Sequence, residues 1–197
     1  MIIDPHVHLR DWEQSGKETI LHGLETARLC GVGAVFDMPN TVPTLTRKEA
    51  VERRLGDAQA AAEELERSGG GCAPFYALYA GLTADPEQIE EMVGLYARLA
   101  PRVAGFKLFA GRSTGDLAVI EPEKQRSIWQ RLAQLGYRGV VAVHCEKEER
   151  FHPDRWDPER PASHSEARPE EAEEASVKDQ VRFAGEAGFE GNLHICH

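Results

Sequence analysis

The sequence has no uninterrupted apolar run approaching the roughly 20 residues that a bilayer-spanning helix needs, and no basic segment leading into an apolar one as in a secretory leader. The expected location is therefore cytoplasmic. Cysteine is scarce: Cys30, Cys72, Cys145 and Cys196 lie far apart and form no Cys-x-x-Cys pair. Most have apolar surroundings, so they read as reduced, buried thiols. Positive charge is in deficit, with 33 acidic against 23 basic residues, which argues against nucleic acid or an anionic membrane as the main partner. Low-complexity linkers are missing too, and 41% hydrophobic content is enough for a core. Residues 1–197 are expected to form one domain.

What is present begins at the N-terminus. In Ile2-Ile3-Asp4-Pro5-His6-Val7-His8-Leu9-Arg10 the leading apolar pair opens a strand. Strand geometry sends residues two apart to one face, so His6 and His8 point the same way. Two such imidazoles can hold one metal ion, and taken alone they equally suit a strand end that hydrogen-bonds its neighbours. Further along, strand-like runs near 2–9, 34–38, 73–80, 103–109, 140–144 and 192–197 alternate with helical patterns near 17–30, 46–67, 85–99, 122–135 and 169–187. Thr46-Arg47-Lys48-Glu49 reads as a capping box, Ser68-Gly69-Gly70-Gly71 as a helix stop, and Asp85 as an N-cap before Pro86. Ile89, Met92, Val93, Tyr96 and Leu99 form a one-sided helical stripe. The proline-rich stretch 147–168 is a connection of the length that is either functional or disordered.

Alternating βα units with chemistry at strand ends fit an α/β class, TIM-like (β/α)8 barrel, whose sites lie at the mouth formed by those ends. Such a barrel needs about 250 residues. Residues 1–197 thus read as an incomplete barrel of about six βα units, truncated at the sixth strand, whose open edges allow association into a homo-oligomer. Near the strand ends stand His6, His8, Lys107, His144 and His197. Neutral imidazoles suit Zn2+, and two zinc ions can share a bridging carboxylate. A lysine ammonium does not fit that scheme. Buried between Phe106 and Leu108, however, the amine becomes less basic, and its neutral form can add carbon dioxide to give a carbamate anion. An isolated strand lysine also commonly pairs with a carboxylate or extends its head to solvent.

The runs Asp4-Pro5-His6-Val7-His8-Leu9-Arg10-Asp11, Asp37-Met38-Pro39-Asn40-Thr41, Gly105-Phe106-Lys107-Leu108-Phe109, Val143-His144-Cys145-Glu146, Arg168-Pro169-Glu170 and Leu193-His194-Ile195-Cys196-His197 recur in this order along the whole chain. As a set they resemble dihydroorotase, a cyclic amidohydrolase. The resemblance implies a small-molecule substrate, dihydroorotate, hydrolysed reversibly to N-carbamoyl-aspartate in pyrimidine synthesis. It implies two Zn2+ ions: His6 and His8 on the more buried one, His144 and His197 on the other, and carboxylated Lys107 bridging both. Arg10 and Asn40 would hold the substrate carboxylate, and the fork of a guanidinium suits that group. The related hydantoinases typically show threonine between the two histidines and no matching arginine. The general base of the family is an aspartate after the eighth strand, expected beyond residue 197, so little turnover is expected of these residues alone. Where the family often carries Pro-Gly after the arginine, this sequence has Asp11-Trp12-Glu13-Gln14-Ser15-Gly16. Alternation puts His194 and Cys196 on one face of the last strand and Ile195 and His197 on the other, and the resemblance selects His197. His194 reads as a hydrogen-bonded supporting or core residue, and His22, His152 and His164 as surface or loop. Two other readings are an allantoinase or hydantoinase, and a non-catalytic dihydroorotase-like subunit.

Overall fold

Among the described residues six parallel strands pair strictly in chain order, β1 (Ile2–Val7), β2 (Val32–Asp37), β3 (Phe75–Gly81), β4 (Val103–Ala110), β5 (Val140–Cys145) and β6 (Asn192–Ile195). The computed structural model describes residues 1–69, 71–113 and 116–197, so Gly70 of the expected helix stop lies outside the described residues. Between the strands run α1 (Ile20–Leu29), α2 (Lys48–Arg67), α3 (Pro86–Leu99) and α4 (Pro122–Gln134), and α6 (Glu170–Glu186) precedes β6. Every crossover is thus helical, as parallel pairing requires.

Alternation along the strands separates two faces. Val35, Leu78, Phe106, Leu108, Val141, Val143 and Phe183 of α6 pack in the main core between sheet and helices. Met38, Tyr79 and Ala142 form a smaller cluster on the opposite, concave face, with Cys196 packed against it. Trp129 of α4 is fully buried, and its indole nitrogen donates to Gln180 of α6 at 2.9 Å, which ties the two helices. Gly105 is required by strand proximity, since a Cβ there would stand 2.3 Å from the Val140 carbonyl oxygen. Gly105→Ala is expected to destabilise the fold by about 1–3 kcal/mol. Urea denaturation checks this, and an unchanged midpoint would contradict the close approach of β4 and β5.

Several local expectations need correction. Thr46 does not cap α2: Arg47 occupies the cap without a side-chain hydrogen bond, and the Thr46 hydroxyl lies 3.2 Å from that of Thr44 while its carbonyl accepts from Gln88. Tertiary contacts there outcompete the local capping pattern. Asp85 does cap α3, accepting from the Glu87 amide at 2.9 Å. The 147–168 stretch is neither featureless nor loose. It contains two 3-10 turns and the short helix α5 (Ser163–Ala167), fastened by His152 N–H donating to the Ala167 carbonyl. Cys145 is buried, but Cys30 and Cys72 are exposed, because they fall beyond α1 and before β3 rather than on packed faces. All four thiols are free. Among the described residues no helix is long and apolar enough to cross a membrane.

Candidate metal and substrate site

β1 turns Val7 into the main core, so the flanking His6 and His8 face the concave side. His8 lies beyond the last paired residue of β1, and its Nδ1 stands 2.8 Å from Asn40 Oδ1. An amide oxygen only accepts, so Nδ1 carries the proton and Nε2 keeps its lone pair. The Arg10 guanidinium donates to the Asn40 backbone carbonyl at 2.8 Å. Asn40, nearly fully buried, thereby links the two motifs at the ends of β1 and β2.

Lys107 projects from β4 and is 1% exposed. Its Nζ donates to Cys196 Sγ at 3.0 Å and lies 5.1 Å from the centre of the Phe109 ring. Burial lowers its pKa, against an opposing pull from Cys196, so the amine loses its proton more readily than an ordinary lysine. On β5, His144 places Nε2 2.8 Å from Glu146 Oε2 and Nδ1 3.1 Å from His197 Nδ1. The carboxylate fixes the proton on Nε2 and leaves Nδ1 facing His197. Arg168 in turn holds Glu146 at 3.4 Å.

These side chains converge. Ring centroids are 5.2 Å apart for His6 and His8, 5.6 Å for His6 and His197, and 4.7 Å for His144 and His197. Five inter-strand steps of about 4.8 Å would put the edges of a flat six-stranded sheet roughly 24 Å apart. The sheet therefore curls into a half-barrel, and side chains from its two edges meet at this mouth. β6 ends at Ile195, which faces the helices. Beyond it the chain stays beside β5, the His197 carbonyl accepting from Cys145 N–H at 3.1 Å, while Cys196 lies against the concave cluster.

The donor set fits divalent metal. Burial, then the charges of Lys107, His8 and His197, brings the His6 pKa down to about 4, so this imidazole is neutral at ordinary pH. His8 and His197 are shifted in the same direction, mainly by burial. Two nitrogens bound at about 2.05 Å to one tetrahedral ion stand roughly 3.3 Å apart, close to the His144–His197 spacing of 3.1 Å. Among the described residues no three His, Cys, Asp or Glu side chains gather as a ready cage. The imidazoles instead stand as two pairs, with Lys107 acting electrostatically on His6, His8 and His197.

A pH effect follows. Because the folded-state pKa of these histidines lies below the unfolded value, the unfolded chain binds more protons as pH falls from about 6.5 toward 4, and stability is lost across that window. The melting temperature of metal-free protein is expected to fall over this range, and His6→Asn to flatten the slope. An equal slope in the variant would show that His6 is not held neutral by its surroundings.

Sequence reasoning missed the support beneath the site. Asp37, fully buried at the end of β2, accepts from Leu9 N–H on one oxygen and from Arg54 and the Tyr76 hydroxyl on the other. An arginine within the apolar stripe of Val51, Leu55, Ala58, Ala61 and Leu65 was the available signal. The loop that departs from Pro-Gly is also special: Asp11 and Trp12 have φ of 55° and 49°, unfavourable for side chains with a Cβ. Asp11 Oδ2 accepts from Ile20 N–H, and Trp12 Nε1 donates to Asp57 across Arg53 and Arg54, so tertiary contacts hold both. His22 and His164 are exposed, His152 half-buried, and His194 exposed rather than core.

Comparison with known proteins places the fold first. The L-hydantoinase of Arthrobacter aurescens superposes on 98% of this chain with a TM-score of 0.75 at 20% identity, the match spanning 40% of that protein. A D-hydantoinase gives 0.68 at 19% identity. The fold is accordingly an incomplete (β/α) barrel. In sequence, the chain is similar over its full length to the N-terminal part of dihydroorotases: 31% identical to that of Thermococcus kodakarensis and 32% to that of Halobacterium salinarum. It spans about 40% of the length of such relatives, 38% and 42% for these two. No family model matches.

Proposed function

We propose that this chain supplies the N-terminal half-site of a dihydroorotase, which hydrolyses dihydroorotate reversibly to N-carbamoyl-aspartate in pyrimidine synthesis. The observation that carries the reading is the meeting of His6, His8, His144 and His197 with a buried Lys107, its pKa lowered by that burial, at one mouth. His6 and His8 would hold one zinc ion, His144 and His197 a second, and carboxylated Lys107 would bridge them. Ions so held activate water and polarise an amide carbonyl at neutral pH.

This chain's own residues do the rest of the positioning. Asn40 holds the His8 tautomer and Glu146 that of His144, so each offers an unprotonated nitrogen. Arg10, fixed on the Asn40 carbonyl, presents a charged fork to the substrate carboxylate, and Asn40 completes that pocket. None of the residues assigned here is the general base the reaction needs, so the chain by itself is expected to turn over little. The mouth favours an anionic ring over hydantoin, which has no carboxylate for Arg10.

Steady-state hydrolysis by the complete reading frame tests this. Turnover of dihydroorotate well above that of hydantoin and allantoin is expected. Preference for either of the latter would make this a different cyclic amidohydrolase, and no turnover of any would favour a non-catalytic subunit.

A further inference from the structure

We infer that Arg54 is a positioning residue that sets the affinity for the substrate carboxylate through Arg10, an inference that rests on the dihydroorotase reading. Arg54 stands in the middle of α2, on the helix layer, with its side chain fully buried. Its Nη2 donates to the Leu9 carbonyl at 2.7 Å and to Asp37 Oδ2, and Nη1 donates to the Arg10 carbonyl at 3.0 Å. Nε donates to the same Asp37 oxygen at 3.0 Å. Asp37 closes the circuit by accepting the Leu9 amide at 3.0 Å, and Tyr76 of β3 donates its hydroxyl to Asp37 at 2.8 Å.

Consecutive backbone groups after β1 are therefore gripped by one planar fork and its counter-ion. The grip lies between His8 and the Arg10 side chain, and the following residue, Asp11, already takes a backbone conformation that L residues disfavour. Without the grip, relaxation of that segment moves Arg10 relative to Asn40. A lysine reproduces the charge but not the fork, because its single nitrogen cannot serve two carbonyls and a carboxylate in plane.

The test is a double-mutant cycle in the complete protein, with wild type, Arg54→Lys, Arg10→Gln and the double variant assayed on dihydroorotate. Arg54→Lys is expected to raise KM at least fivefold with kcat changed less than twofold, and to add no further KM change in the Arg10→Gln background. Fully additive KM effects, or a fall in kcat alone, would overturn the inference, since the residue would then act independently of Arg10. Should Arg54→Lys fail to fold, Tyr76→Phe carries the same cycle, as it spares the buried ion pair. At least a twofold rise in KM, absent in the Arg10→Gln background, is expected, and an unchanged KM overturns the proposal. Wild type without dihydroorotate turnover would refute the functional reading itself.

Discussion

Lys107→Met is expected to lower hydrolysis by the complete protein about a thousandfold or more while leaving the metal-free fold as stable as wild type, or more stable. The rate loss follows from the assigned role. A bridging anion that holds two ions contributes several kcal/mol to charge stabilisation, and about 4 kcal/mol corresponds to a thousandfold. The stability expectation has an independent origin. Lys107 is 1% exposed, and burial depresses its pKa below that of a free lysine. Protonating the amine then costs more in the folded state than in the unfolded chain, and a methionine of similar length removes that cost. Metal analysis alongside should show fewer bound ions in the variant. On the proposed role, loading of wild type should weaken in buffer stripped of carbon dioxide and recover with bicarbonate, because the neutral amine would become the bridging carbamate by adding CO2 with release of a proton. Bicarbonate should have no effect on Lys107→Met. Full activity in that variant would remove lysine from the mechanism.

Arg10→Gln is expected to raise KM for dihydroorotate by about 10- to 100-fold with a smaller change in kcat, the size of a charge-assisted hydrogen bond of about 1.5–3 kcal/mol. Burial and the nearby Arg54 push the Arg10 pKa down, with Asp37 opposing, yet a guanidinium stays charged at neutral pH. Hydrolysis of a ring without a carboxylate should not show the same KM penalty. Equal losses on both substrates would mean that Arg10 supports the loop rather than the ligand.

Much of this was legible in the sequence because it depends on short-range rules. Helix and strand periodicities set the order of the six βα units, and strand alternation put His6 with His8 on one face and Val7 on the other. The fold proved to be an incomplete (β/α) barrel, as expected from that order. What was not legible depends on tertiary placement. His197 comes within 5.6 Å of the His6 ring, from the other edge of the sheet, because the sheet curls, and no local pattern encodes that. Thr46 has the neighbours of a capping residue but spends its hydroxyl near Thr44. Arg54 looks like one more surface charge on an alanine- and glutamate-rich helix until its place in the buried stripe is noticed. Cys30 and Cys72 have apolar neighbours in sequence and solvent in space.

The central claim is that His6, His8, Lys107, His144 and His197 surround a pair of divalent ions. Anomalous diffraction at the zinc edge from crystals of the complete, zinc-loaded protein addresses it directly. Two peaks a few ångströms apart are expected, one beside His6 and His8 and one beside His144 and His197, with density for a carboxylated Lys107 between them. Strong zinc peaks elsewhere with none at this mouth, or five side chains with no ion among them, would contradict it.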